Sequence, residues 1–230
     1  TLLLTGPKNF FAIGAPAKDN LSEFVNGDAD LGETVLKIEP DTVTPLKQGT
    51  GARYTLRVAE RFRENLVSAG LPPPQNIKAV FLGDIPIGGG TSGSSSKVIT
   101  DFFLLAAASG LLSSERFLSV IRDNGKKAGL RPGQGGVDDT LLALSMYLAN
   151  YENGLDFGLL KGDRGVGTFG GSEDHTAILL GIRDTLLLCR FCPTEILKKV
   201  KMPDGLAVIV AFSGKKAEKT QEAMAKFNYL

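Results

Sequence analysis

The sequence predicts an α+β fold, and three observations carry that expectation. Short apolar runs broken by Gly, Pro and Asp crowd residues 1–50, helical periodicities fill the middle of the chain, and strand-like runs return after residue 184. Strands gathered early and late, with helices between them, fit α+β better than a doubly wound parallel sheet. At 230 residues and 43% apolar content the chain suffices for one large domain or a domain and a half.

Each element has its own reason. Residues 1–6 read as a short strand, because they lack the basic flank and the length of a signal peptide. Runs such as Val35-Leu36-Lys37-Ile38, set between turn formers, read as further strands. A helix is expected over 53–69: Leu56, Ala59, Phe62, Leu66 and Val67 form one stripe, and Gly70 before Pro72-Pro73-Pro74 stops it. Residues 77–85 read as a strand that leads into a glycine-rich turn, followed by a buried helix over about 96–109. Ser113 and Ser114 with Glu115 open the next helix, to about Asn124, with Phe117, Leu118 and Ile121 on one face. After a Gly/Lys/Pro-rich connection at 125–136 comes a helix over 137–151. Residues 152–173 are glycine-rich without strong period, and so long a loop in a compact domain is usually functional or disordered. A short helix over 174–180 follows, then strands at 185–191 and 196–202 and a strongly apolar strand at 206–212. Gly214 ends that strand, and a charged amphipathic helix starts near Lys216.

Charge and composition exclude several function classes. The net charge of +1, from 26 basic and 25 acidic residues, argues against a general electrostatic nucleic-acid binder. No apolar stretch reaches the ~18 residues that span a bilayer. These features fit a soluble, cytoplasmic protein with neither nucleic acid nor membrane as partner. Cys189 and Cys192 have Cys-x-x-Cys spacing, but two thiols and one distant histidine cannot complete a tetrahedral zinc site. On a strand a spacing of three also points the two side chains to opposite faces, so both read as structural.

The richest segment is 83–98, Gly-Asp-Ile-Pro-Ile-Gly-Gly-Gly-Thr-Ser-Gly-Ser-Ser-Ser-Lys-Val. A strand that ends in such a turn and opens a helix offers backbone N–H groups at the positive end of a helix dipole, which suits a phosphate chain. Glycines allow close approach, and serine hydroxyls can donate to phosphate or ligate its magnesium. It is not a Walker loop, since Lys97 follows the serines rather than the last glycine. It is not a dinucleotide fingerprint either, since no acidic residue ends a second strand about twenty residues on.

What remains is Pro86-x-Gly88-x-Gly90-x-Ser92-x-Ser94-Ser95, which resembles the phosphate loop of the GHMP kinases. Downstream, Gly171-Ser172-Glu173-Asp174-His175 stands where galactokinases place Gly-x-x-Asp-Gln at the mouth of a helix, and 202–214 looks like their strand ending in Asn-Ser-Gly. The resemblance covers about 77–214 and is closest to the galactokinase branch. It implies a GHMP-kinase N-terminal domain (ribosomal protein S5 domain 2-like) at 1–203 and the start of a ferredoxin-like C-terminal domain at 204–230. It also implies ATP and Mg2+, a sugar such as galactose phosphorylated at its anomeric hydroxyl, and a monomer or weak homo-oligomer.

By the same resemblance, Pro86, Gly88, Gly89, Gly90, Thr91, Ser92, Gly93, Ser94 and Ser95 hold the nucleotide. Asp174 accepts the proton of the sugar hydroxyl, and Gly171, Asp174 and His175 contact the sugar. Ser94 ligates magnesium if the motif is aligned from Pro86 without a gap, and Ser95 does so if one residue is inserted. Asp163 is the first choice for the acidic metal partner, with Glu152 behind it. Taken alone, Asp174 also reads as a helix N-cap, and Lys97, Lys161 and Arg164 as phosphate-neutralising or simply solvated charges. The chain departs from the family at Thr91, Gly93, Ser95-Ser96 and His175, where leucine, serine, Ala-Ala and glutamine are usual. The family's N-terminal sugar-binding signature is not found in 1–50 and its C-terminal glycine motif is not present, so the chain looks like an internal portion of a sugar kinase. Another GHMP small-molecule kinase and a non-catalytic sugar-sensing relative are the alternatives.

Overall fold

The computed structural model describes residues 1–215 apart from 7, 28–31, 50, 87, 88, 168, 169, 212 and 213. In chain order the elements are β1 (Leu2–Leu3), β2 (Phe10–Pro16), β3 (Ser22–Asn26), β4 (Glu33–Ile38), β5 (Val43–Lys47), α1 (Ala52–Ser68), β6 (Ile77–Gly83), α2 (Gly93–Ala108), α3 (Glu115–Lys127), α4 (Asp139–Asn153), α5 (Glu173–Leu180), β7 (Thr185–Arg190) and β8 (Glu195–Lys201). The fold is α+β. Five strands form one sheet in the order β2-β6-β3-β4-β5, with β3 and β6 parallel and the other neighbours antiparallel. β1, β7 and β8 form a second, antiparallel sheet.

Alternation along the strands decides which face is covered. On β6, Ile77, Ala79 and Phe81 are buried while Val80 and Leu82 are exposed, and on β4, Thr34, Leu36 and Ile38 are buried. Pro45 is confined to β5, an edge strand, where its missing N–H breaks no central ladder. α1 packs on β4 and α2, presenting Val58, Ala59, Phe62 and Leu66 to the core. Of the expected stripe only Val67 stands well out in solvent. Phe62 and Phe102 rings lie 4.8 Å apart, and Tyr147 meets Phe102 edge-on at 6.0 Å, so α1, α2 and α4 share one aromatic centre. The opposite sheet face leaves Phe11, Ile13, Val80 and Leu82 exposed. There Lys78 pairs with Asp19 at 3.0 Å and Glu23 at 3.1 Å.

Asp84 closes the end of β6 that feeds the glycine turn. Its Oδ1 accepts the Asn9 backbone N–H at 2.6 Å and its Oδ2 lies 3.3 Å from Lys8 Nζ. These contacts, the backbone donor first, hold the carboxyl below its usual value of 3.8. A depressed folded value means the contact stabilises above the unfolded pKa and is lost as pH falls through the folded one. Asp84→Asn is therefore expected to lower thermal stability at neutral pH and to flatten this part of the acid limb. Melting curves across acid pH check this; an unchanged acid limb would contradict it.

Three expectations are corrected. Residues 206–211 form no strand and are exposed, because an apolar run takes up a ladder only beside a partner edge, and none of the described strands lies beside it. The end of that expected strand at 212–213 and the helix near Lys216 lie outside the described residues. Cys192 is not on a strand: β7 stops at Arg190, so Cys192 sits exposed in the following turn while Cys189 is buried, and both thiols are free. The loop after α4 is packed rather than loose, with Phe157, Leu160 and Val166 buried. Its glycines are needed where backbone meets backbone. At Gly158 (φ +60°) a Cβ would lie 2.7 Å from Asn124 O, and at Gly154 (φ +73°) 2.6 Å from Asp163 O. Among the described residues, no helix is long and apolar enough to cross a membrane.

Candidate functional site

The site forms where the turn after β6 becomes α2. Gly89 N–H donates to Pro86 O at 3.1 Å, Gly90 has φ +71°, and Ser92, also left-handed at φ 63°, is the residue from which α2 departs. No side chain caps α2, and its first turn holds no acidic residue. The helix itself therefore supplies no group to cap its first amides. In the turn itself, Thr91 Oγ1 is buried with no hydrogen-bond partner, an orphan that a bound oxyanion could satisfy. Gly88 lies outside the described residues.

One turn into α2, Ser95 is buried, and two other helices bring acids to it. α4 and α5 both pack against α2. Ser95 Oγ donates to Glu152 Oε2, in the last turn of α4, at 2.7 Å. The same Oγ lies 3.3 Å from Asp174 Oδ2, in the first turn of α5. One hydroxyl has one proton to give, so the two carboxylates compete for it. His175 stands behind them, 1% exposed, with Nε2 3.3 Å from Glu152 Oε2 and no hydrogen-bond partner for either ring nitrogen. Burial holds the His175 pKa below 6.5, against the opposing pull of Glu152 and Asp174, so the ring is neutral at pH 7. Tyr54, in the first turn of α1, is half-buried, and its phenol is pushed up first by burial and then by the Glu152 charge.

The positions named from sequence divide accordingly. Ser95, Glu152, Asp174 and His175 are brought together. Ser94 is only half-buried, and Ser95, the next residue on α2, is the serine that meets the acids. Asp163 is engaged elsewhere: its Oδ1 accepts Gly165 N–H at 2.9 Å and lies 3.6 Å from Arg61 Nη1. Glu152, the second choice for that acid, is the carboxylate that lies beside Ser95. The buried Arg61 also bonds the carbonyls of Asn150 and Leu155 and lies over Tyr151, so Asp163 belongs to the anchorage of the loop. Asp174 is not an N-cap: Ser172 occupies that position. Gly171 borders open space, where a Cβ would meet nothing. His175 is too deeply buried to offer a surface to a sugar.

Lys97 turns into the core rather than toward the turn, bonding Asp101 and, at 2.7 Å, Thr55 Oγ1, with Phe81 4.3 Å from its Nζ. A Lys–Asp pair four apart inside an otherwise apolar helix was the signal for that contact. Lys161 pairs with Asp156 at the surface, and Arg164 is exposed.

The donor chemistry fits a hard cation. Among the described residues no three of His, Cys, Asp and Glu are grouped to hold a metal. Magnesium asks for less, one or two carboxylate or hydroxyl oxygens from the protein with water and phosphate completing the shell. Ser95 and Glu152 supply that. Comparison with protein-family models finds no match to this chain, and comparison with curated proteins finds none either.

Proposed function

We propose that this chain is a GHMP-type, galactokinase-like kinase that transfers the γ-phosphoryl group of ATP to the anomeric hydroxyl of galactose or a related monosaccharide. The observation that carries the reading is the meeting of Ser95, Glu152 and Asp174 around one hydroxyl oxygen, one turn beyond the glycine turn that opens α2. Phosphoryl transfer asks the protein mainly for positioning and charge stabilisation. The amides of residues 90–95 and the hydroxyl of Thr91 bind the phosphate chain. Ser95 and Glu152 would hold magnesium, which when bound neutralises phosphate charge. Asp174 takes the proton from the sugar hydroxyl as that oxygen forms its bond to the γ-phosphorus, and the bond to the β-phosphate oxygen breaks to release ADP. Glu152 and Asp174 thus have separate tasks, one toward the cation and one toward the sugar.

The test is ADP formation from ATP and Mg2+ over a panel of reducing monosaccharides. Ser95→Ala and Glu152→Gln are each expected to lose on the order of 10²-fold or more in turnover, since an ion that supplies several kcal/mol of charge stabilisation is no longer held. Wild-type turnover in both variants would contradict the assignment. Nucleotide and sugar binding without turnover in the wild type would favour a sensor instead.

A further inference from the structure

We propose that His175 is a positioning residue for Glu152, donating Nε2–H to Oε2 and holding that carboxylate toward Ser95 when a divalent cation is bound. The inference rests on the phosphotransfer reading above and concerns the same site. Glu152 lies in the last turn of α4, two residues before the left-handed Gly154. Its Oε2 lies between two groups from different helices, Ser95 Oγ at 2.7 Å and His175 Nε2 at 3.3 Å. Ser95 can satisfy Oε2 only while its hydroxyl proton points there. Once the Ser95 oxygen directs its lone pairs to a cation, that proton turns away and the imidazole N–H remains as a donor. Ligating carboxylates are held by such outer hydrogen bonds, and losing them typically costs 10–100-fold in metal affinity.

Two further observations favour this task over a passive one. The ring is 1% exposed, and neither of its nitrogens has a hydrogen-bond partner in this state. Leaving a buried donor unmade is unfavourable, so a ring kept so close to Glu152 suits a bond completed on ligand binding. Thr176 Oγ1, the next side chain on α5, is likewise buried and unpartnered, so the immediate neighbour does not relieve it.

The experiment is Mn2+ binding in the presence of ADP, read from the electron paramagnetic resonance signal of free Mn2+, for wild type, His175→Leu and His175→Gln, with far-UV circular dichroism and melting as controls of folding. His175→Leu is expected to weaken Mn2+ binding about 10–100-fold. His175→Gln, which keeps a neutral N–H at comparable reach, is expected to restore most of it, whereas a structural role would not sort the two variants by donor. If His175→Leu does not fold, His175→Asn, with its amide set further back, replaces it with the same expectation. Folded His175→Leu that binds like wild type, or His175→Gln as damaged as His175→Leu, would overturn this inference alone. Wild type that binds no Mn2+ with ADP would overturn both the inference and the function on which it rests.

Discussion

Asp174→Asn is expected to cut phosphoryl transfer by about 10²–10⁴-fold, the usual contribution of a positioned general base, while nucleotide binding survives. The asymmetry follows from the geometry. Asp174 lies farther from Ser95 Oγ than Glu152 does, at 3.3 Å rather than 2.7 Å. It is therefore the carboxylate less needed for the cation and more available for the sugar hydroxyl. Asparagine keeps its shape but cannot take a proton. Replacing a charged group beside the phosphate site also reduces repulsion, so ADP affinity should hold or improve. Steady-state ADP release and calorimetric titration with ADP separate the two effects; full turnover in the variant would remove Asp174 from the mechanism.

Lys97→Met is expected to cost about 3–5 kcal/mol of folding stability, because it leaves Asp101 as an uncompensated buried charge. Asp101 is 0% exposed, and Lys97 and Thr55 both bond the same carboxylate oxygen, Oδ2. Burial depresses the Lys97 pKa, and Asp101 opposes that shift, so the ammonium depends on its partner to stay charged. The double variant Lys97→Met/Asp101→Leu is expected to recover much of the loss, since apolar replacement of a whole buried pair is often neutral or stabilising. Urea unfolding of the two singles and the double closes the cycle. A loss below about 1 kcal/mol in Lys97→Met would mean that water reaches Asp101. The consequence for function is indirect: through Thr55 this pair ties α2 to α1, and α2 carries the turn.

What sequence reading could reach was local. The ends of α1, β6 and α5 fall within two residues of the expected bounds, and Ser114 does cap α3, its Oγ accepting Phe117 N–H at 3.4 Å. What escaped was long-range. The order of the loop after α4 comes from Arg61, about 90 residues earlier, whose buried guanidinium no local period reveals. The apolar run at 206–211 read as a strand because β-propensity says nothing of whether a partner edge exists. The choice between Asp163 and Glu152 had a usable signal: Leu144, Leu148 and Glu152 repeat every four residues along α4, placing that glutamate on the buried face. Asp163, in a glycine-rich stretch, carried no such period. Ser95 over Ser94 is a matter of one residue, a rotation of about 100° on α2, which the spacing of the motif left undecided.

The most direct measurement is 31P nuclear magnetic resonance of the protein with ATP, Mg2+ and galactose, run in parallel on wild type and Asp174→Asn. A sugar 1-phosphate resonance is expected to grow in the wild type as ATP is consumed, and none above background in the variant, although the variant still binds ADP. Equal growth in both would contradict the role of Asp174, and failure of the wild type to bind ATP at all would contradict the site.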